Sequence, residues 1–275
     1  MKKFRFIVIV IAMMTMAGTQ AQGTINVEGN GMNGLDILEN SYFEFSGTFS
    51  VSTFTAVEVN TEAGLFTRLS LPGSVHTNLY GHPEMPASRK LISVPLGAEA
   101  VVTLNSIEYE DIDLKKAGYP EPVYPAQPPR IKSQDEHEFI LDPAAYALNG
   151  FEKHELVTVD MLGILRDKRI ARINFVPFQY DPIRHVVRVF HRIDFSVSFE
   201  NADIPATLAL EENYASPAFR SVNRFLANAR PESNRENFKR YPVKYVIVSD
   251  RMFESQLQEF IEWKIKAYVE MWILR

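Results

Sequence analysis

The 275-residue chain has no cysteine. That absence excludes disulfides, thiolate zinc sites, a cysteine nucleophile on this chain and the acylated cysteine of a bacterial lipoprotein. A basic excess is also missing. Lys and Arg number 29 against 34 Asp and Glu, a net charge of −5, so there is no electrostatic case for a nucleic-acid partner. Beyond the first residues no apolar run approaches the roughly 20 residues needed to cross a bilayer. Glycine and proline, at 13 and 16, are too few and too irregular for a collagenous or low-complexity chain. What is present is globular: 46% apolar and 23% charged residues, enough to build a sizeable core.

The amino terminus reads as a secretory signal. Lys2, Lys3 and Arg5 form a basic region, residues 6–16 a short apolar one, and Ala17, Gly18 and Ala21 supply small side chains before a cleavage point between Ala21 and Gln22. Its removal takes three positive charges and leaves −8. The expected product is exported to the periplasm, cell surface or medium, has no membrane span after signal removal, and relies on core burial rather than cross-links.

From residue 22 to about 200 the periodicity is that of strands. Phe49, Val51, Thr53, Thr55, Val57 and Val59 share one parity, which predicts a half-buried strand over 49–60. Residues 60–64 form a turn into a partner carrying Leu65, Thr67, Leu69 and Leu71. Residues 169–180 predict another strand. Asp181-Pro182-Ile183-Arg184 predicts a turn, and Val187, Val189, His191, Ile193, Phe195, Val197 and Phe199 one face of a long strand. The fold class is mainly β, an antiparallel β-sandwich or open barrel. Pro120, Pro122, Pro125, Pro128 and Pro129 predict an extended linker or surface strap, and residues 135–138 a solvated acidic surface.

After Glu200 the pattern changes. Phe219, Val222, Phe225 and Leu226 predict a short amphipathic helix within 214–229, and residues 230–240 a polar, exposed junction. Residues 243–248 read as a buried strand. Ser249 and Asp250 can cap a helix whose apolar positions are Phe253, Leu257, Phe260, Ile261 and Ile265. One strand and one helix are half of a βαβ unit, with Trp272, Ile273 and Leu274 left uncovered, so the tail is expected to be a truncated start of a further domain.

Signals for chemistry fail one by one. Gly29, Gly31 and Gly34 spell G-x-G-x-x-G, but strand-like residues follow where a dinucleotide site needs a helix. The six histidines, His76, His82, His137, His154, His185 and His191, contain no zinc-binding spacing. His185 and His191 share the apolar parity and are read as hydrogen-bonded core or boundary residues. Asp111 and Asp113 lie beside a turn and are read as surface carboxylates. No G-x-S-x-G elbow or phosphate loop occurs. No catalytic, metal or cofactor-binding residue is expected.

Gly81-His82-Pro83-Glu84-Met85-Pro86, the run from Lys90 to Ala98, Ile164-Leu165-Arg166-Asp167 and the run from Val176 to Pro182 resemble the propeptide of gingipain-type cysteine peptidases. Residues 241–266 are similar to the opening strand and helix of that family's catalytic domain. The resemblance implies a zymogen with a signal peptide at 1–21, a β-rich propeptide domain at 22–202, a helical segment and cleavable linker at 203–240, and the start of a caspase-like α/β peptidase domain at 241–275. It implies a partner, the cognate cysteine peptidase catalytic domain in cis or in trans, and a role in keeping that peptidase latent and assisting its folding. The catalytic histidine and cysteine of such peptidases lie beyond this stretch, so the chain is not itself expected to be an enzyme. A propeptide can enforce latency by placing a basic side chain in the specificity pocket, and Lys153 and Arg130 are the inhibitory-loop candidates. Arg230, Arg235, Lys239 and Arg240 are processing candidates. Pro231 disfavours cleavage after Arg230, so Arg235 and Arg240 are preferred. The competing reading is a stand-alone exported β-sandwich acting as a binding or peptidase-inhibitor module.

Overall fold

Alternating apolar residues put most of the chain into strands, and the breaks in that alternation decide which sheet each strand joins. The computed structural model describes residues 22–28, 32–129, 138–215, 217–230, 244–266 and 270–274. The strands are β1 (Gln22–Asn26), β2 (Gly34–Asn40), β3 (Glu44–Ser50), β4 (Thr53–Thr61), β5 (Gly64–Ser70), β6 (Val75–His76), β7 (Pro86–Val94), β8 (Glu99–Asp113), β9 (Val157–Leu165), β10 (Lys168–Phe175), β11 (Phe178–Asp181), β12 (Val186–Glu200), β13 (Lys244–Val248) and β14 (Glu270–Leu274). The helices are α1 (Pro143–Tyr146), α2 (Ile204–Tyr214) and α3 (Glu254–Lys266).

Three antiparallel sheets form the body. One has the order β11-β12-β3-β2, with β8 running along the other side of β12. A second has the order β6-β7-β10-β9 and a third β1-β4-β5. Among the described residues no strand pairing closes a sheet into a barrel. Aromatic rings hold the sheets face to face. Phe175 of β10 stacks on Phe49 of β3 at 4.5 Å and meets Phe195 of β12 edge-on at 5.1 Å. Phe54 of β4 meets Phe178 of β11 at 5.4 Å. These five rings are buried, each contributing roughly 1.5–3 kcal/mol by leaving water, plus about 0.5–1.5 kcal/mol for each ring pair. The fold is therefore the antiparallel, mainly β architecture expected from the sequence.

Three strand expectations need correction. Residues 49–60 are not one strand. β3 ends at Ser50 and β4 begins at Thr53 in a different sheet, and the buried parity changes from Phe49 and Val51 to Phe54 and Ala56. The crossing is held by Asn33, whose Oδ1 accepts from Ser52 N (2.7 Å) and Thr53 N (3.1 Å) while its Nδ2 donates to Thr53 O (2.7 Å). Residues 169–180 also divide. β10 gives way to β11 at Val176-Pro177, where the proline has no amide to donate to a ladder. On β12 a bulge sets Phe190 and His191 against Tyr109, so Phe190 is buried and His191 only half-buried.

The proline-rich strap lies on the body. Thr67 N donates to Pro122 O (2.7 Å), Tyr124 N to Thr67 O (2.8 Å) and Ala126 N to His82 O (2.8 Å), and the strap's own Val123 and Ala126 are buried. Extended proline geometry suits such a strap because the remaining amides still reach partners on both sides.

Helix α2 begins at residue 204, earlier than the amphipathic pattern at 214–229. Asp203 caps it by accepting from Ala206 N at 2.9 Å, and Pro205 sits in its first turn. The stretch expected as an amphipathic α-helix is instead a 3-10 helix over Pro217–Phe225, which ends on an exposed Phe225, and Leu226 just beyond it is buried. In the tail Asp250 accepts from Met252 N (2.9 Å) at the approach to α3, as its position in the sequence implied. Residues 270–274 form β14, which pairs with β13 in parallel and, with α3 between them, makes a βαβ unit.

Candidate functional site

Lys153 lies in the loop between α1 and β9, and its neighbours are tied down. Glu152 Oε1 is 2.8 Å from His82 Nδ1, and Glu152 N donates to Tyr180 O at 3.3 Å. His154 Nε2 is 3.1 Å from Val176 O, and Leu156 is buried. The Phe151 ring lies under the guanidinium groups of Arg184 (5.0 Å) and Arg188 (4.2 Å). Lys153 itself is exposed. Its neighbours on both sides are tied to the body while the lysine side chain stands in solvent.

The other candidates are placed differently. Arg230 is half-buried: its guanidinium lies 3.6 Å from the Tyr42 ring centroid, Nη1 donates to Ser41 O at 3.1 Å, and Nη2 is 3.6 Å from Glu211 Oε1. Gln22 opens β1. Ala21, Arg130, Arg235, Lys239 and Arg240 lie outside the described residues, as do residues 29–31 of the glycine-rich stretch, which β2 and not a helix follows.

No group of three or more His, Cys, Asp or Glu able to hold a metal occurs among the described residues. His185 is not on a strand. It sits at φ 55° in the turn before β12, buried, with Nδ1 2.7 Å from Tyr180 Oη and Nε2 2.8 Å from Tyr119 O. Burial pushes the Tyr180 hydroxyl well above the ordinary phenol range. Asp111 forms a two-point pair with Arg188 (2.7 and 2.8 Å). The amide of Lys116 holds the Asp113 carboxyl below its usual range. Both carboxylates are taken up in local contacts, Asp111 with Arg188 and Asp113 with Lys116, and are structural.

Sequence reasoning missed two features. His82 reaches the lysine loop from 71 residues before Lys153, with its Nδ1 2.8 Å from Glu152 Oε1 and its Nε2 3.4 Å from Asp142 Oδ2. Asn228 is fully buried: Ser93 N donates to its Oδ1 (2.7 Å), and its Nδ2 donates to Ser93 O (2.8 Å). It fastens the segment after α2 to β7. Neither has a local signature, because both partners are far away in sequence.

Lys153 thus stands exposed on a loop of an antiparallel β body, between residues tied to that body. The family Propeptide_C25 matches residues 36–216, and the chain belongs to it. Lys-gingipain of Porphyromonas gingivalis is 36% identical over 227 residues, covering 82% of this chain and 13% of that protein. Gingipain R1 of the same organism is 21% identical over 217 residues, 78% of this chain and 21% of that protein. The chain thus spans about an eighth of the Lys-gingipain length. A structure on the zymogenic latency of gingipain K from P. gingivalis superposes with a TM-score of 0.62 at 36% identity, over 66% of this chain and all of that one. The complex of P. gingivalis RgpB pro- and mature domains matches at 0.56 and 19% identity, over 71% of this chain and 97% of that one, and shows the same fold.

Proposed function

We propose that this chain is the propeptide region of an exported, gingipain-like cysteine endopeptidase precursor, keeping the peptidase latent and assisting its folding. The observation that carries the reading is the anchored loop: in a member of a propeptide family, an exposed lysine is held on a loop by contacts on both flanks. An exposed loop of this kind can enter a peptidase cleft as a substrate would, and its anchoring resists the adjustments that productive cleavage needs. The chain carries no cysteine, so the thiolate chemistry belongs to the partner domain, reached in cis or in trans.

The accompanying division places a signal at 1–21, the propeptide domain at 22–202, a helical segment and linker at 203–240, and the beginning of the peptidase domain at 241–275. The βαβ arrangement of β13, α3 and β14 supports an α/β start there. Processing is assigned to Arg235 or Arg240, with Lys239 beside them. Arg230 is followed by proline and engaged with Tyr42 and Ser41, which disfavours it. Lys153 is preferred over Arg130 as the inhibitory residue because its geometry fits.

The test is inhibition of Lys-gingipain by the full chain. Lys153→Ala is expected to raise the inhibition constant about thirtyfold or more, the scale of a buried hot-spot side chain. Inhibition unchanged by Lys153→Ala rejects Lys153 as the inhibitory residue.

A further inference from the structure

We propose that His82 is a positioning residue for latency, fixing the direction of Lys153 by gripping Glu152 from the body of the domain. The inference rests on the reading of Lys153 as the inhibitory residue and adds what holds that residue in place.

The imidazole is set by its backbone. Gly81 has φ +84°, and a Cβ there would stand 3.0 Å from Asp142 N and 3.2 Å from Ile140 Cγ2, so this close approach requires glycine. Asp142 N donates to Gly81 O (3.0 Å), Gly81 N to Ala126 O (2.9 Å), and His82 N to Leu79 O (3.1 Å). Two residues on, Glu84 is buried and paired at two points with Arg68 (2.8 and 3.0 Å). The Gly81-His82-Pro83-Glu84 stretch is therefore held from both sides, and its histidine faces the lysine loop without freedom to follow it.

The two ring nitrogens face two carboxylates. Nδ1 meets Glu152 Oε1 at 2.8 Å, and Nε2 lies 3.4 Å from Asp142 Oδ2. Asp142 is itself oriented, because its Oδ1 accepts from Ala144 N at 2.9 Å at the cap of α1. On the loop side, the backbone of residue 152 adds the long 3.3 Å bond from its amide to Tyr180 O. The short contact to His82 is thus the tighter restraint on the residue immediately before Lys153. Its loss frees the loop to move in the cleft. A movable loop with a lysine in the specificity pocket is a substrate: water adds across the Lys153–His154 peptide bond, releasing a carboxylate at Lys153 and an amine at His154.

The experiment measures two quantities on the full chain against Lys-gingipain: the inhibition constant, and the rate of hydrolysis after Lys153 by mass spectrometry. His82→Ala is expected to weaken inhibition about tenfold, the scale of one charge-assisted hydrogen bond, and to speed cleavage after Lys153. Glu152→Ala removes the same contact from the partly exposed loop side, so it decides the question even if His82→Ala does not fold, and is expected to match it. The double variant is expected to be no worse than either single one. His82→Asn, which keeps a donor near the Nδ1 position, is expected to restore most of the inhibition. The proposal is overturned if Lys153→Ala loses inhibition while Glu152→Ala inhibits within twofold of the parent, or if the two single effects multiply independently. If Lys153→Ala inhibits like the parent, the underlying reading of Lys153 fails instead.

Discussion

Replacing Asn228 by alanine tests how the segment after α2 is fastened to the body. The carboxamide behaves like a short strand partner for β7: it accepts from Ser93 N at 2.7 Å and donates to Ser93 O at 2.8 Å. Beside it Ala227 N donates to Leu91 O at 2.7 Å, and Leu226 bridges Leu91 in parallel. Ser93 is only 6% exposed and Asn228 fully buried, so truncation strands one amide and one carbonyl away from water. Each unsatisfied group costs about 1–3 kcal/mol, and the pair together roughly 2–4 kcal/mol once some water enters the vacated space. For a domain of this size that corresponds to a fall in Tm of roughly 5–12 °C. Urea unfolding followed by tryptophan-independent far-UV circular dichroism measures it, with Asn40→Ala as the control. Asn40 Nδ2 reaches the backbone oxygen of Asn228 at 3.1 Å from a partly exposed position, and its loss should cost under about 1 kcal/mol. Asn228→Asp keeps the acceptor for Ser93 N but turns a carboxylate oxygen toward Ser93 O, so it should be at least as damaging at pH 7. An Asn228→Ala protein within about 0.5 kcal/mol of the parent would refute the reasoning, since that is the scale of an ordinary surface substitution.

Phe175 joins two sheets through Phe49 and Phe195, and Phe175→Ala is expected to cost about 3–5 kcal/mol by denaturant titration; a cost under about 1.5 kcal/mol would show that the rings are not the junction. At Asp181 burial alone would raise the pKa, but the Arg184 amide and guanidinium outweigh it and hold the carboxyl low. Its contribution to stability is therefore complete above the ordinary carboxylate range near pH 4 and lost as pH falls through the depressed pKa. Asp181→Asn should lower stability at neutral pH and flatten the acid limb of the urea midpoint against pH, whereas parallel curves would deny that this group titrates with folding. Limited trypsin digestion should cut within residues 231–243 and leave a resistant β core, and resistance through residue 275 would count against the proposed linker.

Strand alternation was readable wherever one face is buried along a whole element. Val187, Val189, Ile193, Phe195, Val197 and Phe199 are all buried on β12, and the Asp181 turn lies where its Asp-Pro signal placed it. The cap at Asp250 was legible for the same reason, since its partner is two residues away. Alternation misled at 49–60, where threonines kept a formal parity across a sheet change that Asn33 enforces from another part of the chain. Helix α2 escaped because its surface position leaves only Thr207 buried and almost no apolar stripe, although Asp203 and Pro205 marked its start.

By itself the sequence determined the antiparallel β character, the absence of a thiol nucleophile and the family likeness, because composition and short-range periodicity act within a few residues of the chain. Only the tertiary structure decided that Lys153 stands out between fixed neighbours, that His82 meets both Glu152 and Asp142, and that Asn228 clasps Ser93. Those contacts join residues separated by 60 to 135 positions, and their geometry exists only after the sheets have packed and fixed the distances between them.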